Sequence, residues 1–222
     1  MAFKLMKLHR AQTLLEEILN ASVHGAGALL SVAALVIMII ESAFAGGELK
    51  IIGCCIFGIT LILMYLASTL YHSIQEPIWK KRFKVLDHVS IYLLIAGTYT
   101  PILLVNFPPK LGWSIFSITW ALAIAGVIFK LVATGKYEKT STVIYLLMGW
   151  ISMVAIKPMI HALSPDGMYW LLAGGLCYTV GVIFYVWKRL HFSHAAWHIF
   201  VLAGSACHFF AILFYVIPMR VT

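Results

Sequence analysis

The chain has 222 residues, of which 62% are hydrophobic and only 11% charged, and its mean hydropathy is +0.96. A soluble domain carries about 25% charged residues, so an ordinary water-soluble protein is excluded. The net charge of +8 raises nucleic acid as a partner, but the placement of the cations assigns that charge to membrane topology.

Residues 1–20 are too polar to span a bilayer. They place Leu8, Ala11, Leu15, Ile18 and Leu19 near one helical face, with Lys4, Lys7 and Arg10 available to anionic headgroups. That pattern predicts a short interfacial helix. Runs of about 20 apolar residues, the length that crosses a bilayer, follow at 21–43, 51–72, 87–106, 112–133, 142–161, 168–187 and 194–217. The first exceeds the hydrophobic region of a signal peptide and no clear cleavage site follows it, so the N-terminus is expected to be retained. The expectation is an all-α, polytopic membrane protein with seven transmembrane helices, filling residues 1–222 as one domain.

If the N-terminus lies inside, twelve of the 16 lysines and arginines fall on the inner side. Only Lys50, Lys110, Lys157 and Arg220 fall outside. The positive-inside rule then predicts N-terminus in and C-terminus out. Between the second and third runs, residues 73–86 read as a basic loop, with Pro77 as a helix stop and Lys80 to Lys84 at headgroup level. The third run carries Gly97 and Pro101, read as packing features, and ends at Phe107-Pro108-Pro109. Gly126, Gly149, Gly174, Gly175 and Gly181 supply the small residues that membrane helices need at their contacts. Lys157-Pro158 reads as an outer helix end and Ser164-Pro165-Asp166-Gly167 as a turn. Cys54, Cys55, Cys177 and Cys207 all lie in apolar runs without a CxxC pair and read as packing residues.

The chemistry concentrates in a few polar positions. His194 and His198, four residues apart, share one face of a helix and can point at one metal ion. A catalytic zinc site adds a third protein ligand and leaves one position open. His72 supplies it by parity: the end of the second helix and the starts of the third and seventh all lie on the side of the N-terminus. His72, Asp87, His194 and His198 therefore share one depth. A zinc ion on the three histidines would lower the pKa of a water molecule toward ~7, with Asp87 placed as general base and Ser68 as hydrogen-bond donor to water or an oxyanion. Glu16, Glu17, Asn20 and His24 form a polar cluster, in which Glu17, Asn20 and His24 follow a 3-then-4 spacing on one face. They read first as a helix-start cap with an interfacial histidine, and alternatively as support for the metal. His208, about 15 Å deeper along its helix, is too far for the same ion and reads as a hydrogen-bonded interior residue or a channel residue. His9, His161 and His191 read as solvated or interfacial.

At Glu17-x-x-Asn20-x-x-x-His24-Gly25, Ser68-Thr69-Leu70-Tyr71-His72, Leu86-Asp87-His88, Gly97-Thr98-Tyr99-Thr100-Pro101 and His194-x-x-x-His198, the chain resembles the hemolysin III branch of the progestin and adipoQ receptor proteins, within a superfamily that includes alkaline ceramidases. The resemblance runs from Glu17 to the C-terminus. It implies seven helices, a cytoplasmic N-terminus, zinc near the inner face on His72, His194 and His198 with Ser68 and Asp87 beside it, and a role in membrane-lipid homeostasis. A zinc-dependent hydrolase of a lipid amide or ester in a bacterial cytoplasmic membrane is thus the leading expectation, with membrane lipids as partners and no nucleic acid or soluble partner. A non-enzymatic sensor with structural zinc is the second reading. A cytolytic pore is the third, disfavoured because no charged stripe would line a channel. No lysine in 194–217 could carry a retinal Schiff base. The sequence sets no oligomeric state.

Overall fold

A computed structural model describes residues 12–133 and 137–218. Eight α-helices run along it: α1 (Leu14–Ala45), α2 (Glu48–Ser73), α3 (Pro77–Asn106), α4 (Pro109–Val132), α5 (Glu138–Gly149), α6 (Ile156–Ala162), α7 (Pro165–Val186) and α8 (Ser193–Tyr215), with a 3₁₀ stretch, Ile151–Ala155, between α5 and α6. Taken as one unit, α5 to α6 is the fifth of seven spans long and apolar enough to cross a membrane. Seven spans, as the sequence predicts, make this a multi-pass membrane protein. The surface agrees: Leu29, Phe44, Val132, Val154, Ile183 and Phe214 are exposed, as expected of helices that face lipid.

Several boundaries differ from the sequence expectation, each for a local reason. The interfacial helix assigned to residues 1–20 lies largely outside the described residues. From Leu14 its last part is continuous with α1, which opens on a capping box in which Thr13 Oγ1 accepts from Glu16 N and Glu16 Oε2 accepts from Thr13 N at 2.8 Å. Pro77 does not stop a helix but begins one, since a first-turn position has no intrahelical use for the missing N–H. Glu76 caps it, accepting from Trp79 N at 2.9 Å and Ile78 N at 3.1 Å, and these N–H groups hold its carboxyl below its ordinary pKa. The expected basic loop is therefore the first turns of α3. Pro165 likewise opens α7 behind the Ser164 cap. Lys157-Pro158, expected at a helix end, lies inside α6, just after the irregular stretch. Proline cannot donate to the carbonyl four residues back, and the span breaks upstream of it. Tyr99 bridges that break, its hydroxyl donating to the Gly149 carbonyl and accepting from Ser152 N.

Helix α3 is the most enclosed span. It packs between α2 and α4, while α8 packs between α1 and α7. Gly97 allows the close approach to α2, because a Cβ there would collide with the Thr60 side chain. Next to Pro101, Thr100 Oγ1 donates to the Ala96 carbonyl at 2.8 Å and accepts from Trp120 Nε1 at 3.1 Å, so polar groups around the proline stay paired. Phe57, Met64, Tyr65 and Ile212 fill the main core. Cys54 is buried in it as expected; the other three cysteines are partly buried, and all four are free thiols.

Helix alternation brings the starts of α1, α3, α5 and α8 to one end of the bundle, with the end of α2. Contacts confirm it: Lys84 Nζ meets Glu138 Oε1 at 2.6 Å across α3 and α5, and Phe192 N donates to Glu16 Oε1 at 2.9 Å across α8 and α1. Lys80, Lys81, Arg82, Lys84, Lys130, Lys139, Lys188 and Arg189 all fall at this end, whereas Lys50, Lys110 and Lys157 fall at the other.

Candidate metal centre

His72 lies on the last turn of α2, and His194 and His198 on the first two turns of α8. The strut from Glu16 to Phe192 N fixes the two helix starts against each other, and α1 packs on both α2 and α8. The result is a group of three histidines with ring centroids 5.1 Å (His72–His194), 5.0 Å (His72–His198) and 4.6 Å (His194–His198) apart. One ligand nitrogen from each lies within 4.8 Å of the others. His72 and His198 are buried, and His194 is partly so.

Hydrogen bonding dictates which nitrogens face the centre. His72 Nδ1 lies 2.6 Å from Glu17 Oε2. An ionised carboxylate only accepts, so Nδ1 carries the proton and Nε2 the lone pair. His198 Nδ1 lies 3.3 Å from the Asn20 carbonyl oxygen, and the same reasoning leaves its Nε2 as the lone-pair nitrogen. The Nε2 atoms of His72 and His194 are buried and have no hydrogen-bond partner. Burying polar atoms unpaired costs free energy. A cation shared by the three rings removes that cost. Zinc with Zn–N bonds of ~2.0–2.1 Å would hold its nitrogens about 3.4 Å apart, so nitrogens within 4.8 Å of one another fit after a closure of at most about 1.4 Å.

Ser68 lies one turn before His72 and is fully buried. Its hydroxyl has no partner in good hydrogen-bond geometry. The Asp87 carboxyl, on the third turn of α3, is close enough to interact with both His72 and the Ser68 hydroxyl. All five residues singled out from the sequence thus converge on one spot.

Glu17, Asn20 and His24 pack against the same three histidines. Glu16 makes the expected helix-start cap, with Thr13, whereas Glu17, Asn20 and His24 turn inward. His24 is buried and stacked on His198, centroids 3.6 Å apart and rings 12° from parallel. Stacked rings cannot aim lone pairs at one ion, so His24 is a neighbour of the centre and not a fourth ligand. The 3-then-4 spacing was the signal for this face; only packing shows what it faces. A cleft of about 450 Å³ between α1 and α2, lined by Leu14, Ile18, Thr69 and Ser73 among others, reaches Glu17 and His72 from outside. His208 lies apart, its Nε2 3.3 Å from the Leu171 carbonyl, as a hydrogen-bonded interior residue. His161 and His191 are exposed, and His9 is outside the described residues.

Fold and site together define a seven-helix membrane protein with a buried three-histidine cluster near one membrane boundary, able to hold a metal ion. Residues 12–209 match the model of the family described as "Haemolysin-III related". The chain is 50% identical over 187 residues to "Hemolysin-3" of Bacillus cereus, covering 84% of this chain and 85% of that protein. It is 47% identical over 190 residues to the "Hemolysin-3 homolog" of Bacillus subtilis, covering 86% and 89%. A more distant likeness, 30% over 155 residues and 66% of this chain, is to the human "Monocyte to macrophage differentiation factor", of which it covers 63%. The chain belongs to the haemolysin-III-related family, as its motifs led us to expect, and its seven apolar spans make it a multi-pass integral membrane protein.

Proposed function

We propose that the protein is a zinc-dependent hydrolase acting on an amide or ester bond of a membrane lipid. The observation that carries this reading is the buried, unpartnered Nε2 atoms of His72 and His194 beside His198. Zinc held by these three residues supplies a Lewis acid that makes water nucleophilic at neutral pH. Asp87 takes up the proton given up by the attacking water. The Ser68 hydroxyl, buried beside Asp87, donates to the carbonyl oxygen as negative charge develops on it. Burial of the site keeps bulk water from these charges and so strengthens their effect. Orientation with the N-terminus inside gives the site access to lipids of the cytoplasmic leaflet.

The names of the Bacillus relatives raise membrane lysis as an alternative. Among the described residues the bundle centre is filled by Phe57, Met64, Tyr65 and Tyr92, which argues against a pore. A sensor with structural metal draws support from the site's position between α2 and α8, where the ion would tie helices together. The test is metal analysis of the purified protein, followed by incubation with a mixed lipid extract and mass spectrometry of the products. About one zinc per chain is expected, lost in His194→Ala and His198→Ala together with much thermal stability, because metal binding stabilises the folded bundle. Zinc-dependent release of fatty acid is expected from one lipid class. Full zinc with no product from any lipid favours the sensor; unchanged metal in both variants overturns the site.

A further inference from the structure

The basic run at the start of α3 is not uniform. Lys81 and Arg82 are exposed and Lys84 pairs with Glu138. Lys80 instead folds back beneath the end of α2. Its Nζ lies 3.0 Å from Glu17 Oε1, 3.2 Å from the Tyr71 carbonyl and 3.3 Å from the Ile74 carbonyl, and 5.0 Å from the centre of the Tyr71 ring. An ammonium has three N–H donors and no acceptor, so this one is fully used. Two of its acceptors belong to the C-terminal end of α2, where unpaired carbonyls and the helix dipole favour a cation. The third is the carboxylate whose other oxygen holds His72 Nδ1 at 2.6 Å.

From this chain of contacts we infer that Lys80, acting through Glu17, is a positioning residue of the three-histidine centre. Lys80 clamps Glu17 Oε1 and so fixes the carboxylate plane. Glu17 Oε2 then holds the proton of His72 on Nδ1 and turns Nε2 toward His194 and His198. Metal-binding histidines are commonly oriented by a carboxylate in this way, and removing such a partner typically weakens metal affinity ~10–100-fold. Lys80 adds a second function. Glu17 is itself buried, at 8% exposure, and without the ammonium its charge would be balanced only by the centre. Because Lys80 grips both Glu17 and the last carbonyls of α2, it ties α1 to the turn that carries His72.

The inference rests on the metal-centre reading above, and its test separates the two. Full-length protein in lipid nanodiscs is stripped of metal and titrated with cobalt(II) alone, whose visible absorption reports coordination geometry, with a chelator competing for the ion. If the wild-type protein binds no cobalt, the metal centre itself is wrong. If it binds, Lys80→Met and Glu17→Gln should each weaken binding ~10–100-fold and alter the spectrum. Lys80→Arg should keep most of the affinity, and Lys81→Met, on the exposed neighbour, should match the wild type. The double variant Glu17→Gln with Lys80→Met buries no lone charge and serves if Lys80→Met alone fails to fold. A merely structural ion pair would let the double variant recover both folding and affinity; a positioning role lets it fold while binding stays weak and the spectrum stays altered. Wild-type affinity and spectrum in Lys80→Met or in the double variant overturn the inference.

Discussion

Asp87 and Ser68 differ from the three histidines in what they can be asked to do. Histidine nitrogens can hold a metal, whereas Asp87 lies beside Ser68 and His72 without joining the ligand group. Asp87→Asn keeps the size of the side chain but removes its capacity to take a proton. Zinc content should therefore remain near one per chain while lipid hydrolysis falls by ~10² to 10⁴, the usual contribution of a general base. Metal analysis paired with product release measures both. Retained turnover would remove Asp87 from the chemistry, and lost zinc would make it part of the structure of the site. At this scale the sequence was most legible for His194 and His198, whose spacing specifies one helix face. His72 and Asp87 came from helix parity. Lys80 was misplaced because a lysine in a basic run ordinarily faces headgroups, and nothing local marks one that turns inward.

Helix contacts decide whether those residues meet. The α2–α3 pair depends on Gly97, where an added Cβ strikes Thr60, and Gly149 is the counter-example, with nothing within 4 Å of an added Cβ. Gly97→Val should overpack the interface and cost about 1–3 kcal/mol, lowering the unfolding temperature in detergent, whereas Gly149→Ala should leave it nearly unchanged. Equal effects at the two positions would mean that α2 and α3 do not approach as closely as described. Helix identities were legible from apolar runs; helix starts were not. A bilayer span is recognised by its hydrophobic centre, but α3 begins on Pro77, ten residues before the expected Asp87, because capping by Glu76 and pairing of Lys84 with Glu138 extend the helix through charged sequence.

For the whole molecule, the clustering of basic residues at the end that holds the histidines makes a directional prediction. A cysteine introduced at Lys81, which is exposed, should react with a membrane-impermeant reagent only from the cytoplasmic side. Tags on the two termini should report from opposite sides, as an odd number of crossings requires. Labelling of that cysteine from outside intact cells would invert the protein and place the proposed lipid chemistry in the outer leaflet.

Composition and apolar run length were enough to determine that this is a seven-helix membrane protein, because runs of about 20 apolar residues match helical spans, whose backbone groups pair within the segment, and are about twice the length of a barrel strand. Motif spacing and parity were enough to nominate His72, His194 and His198. The tertiary structure decided the rest: that α1 lies between α2 and α8, that Glu17 and the Asn20 carbonyl turn the rings of His72 and His198, and that Lys80 belongs with them. The physical reason is that periodicity along a helix reports which residues share a face. Which neighbour that face meets is set by close packing between helices far apart in sequence, such as His72 and Glu17, 55 residues apart.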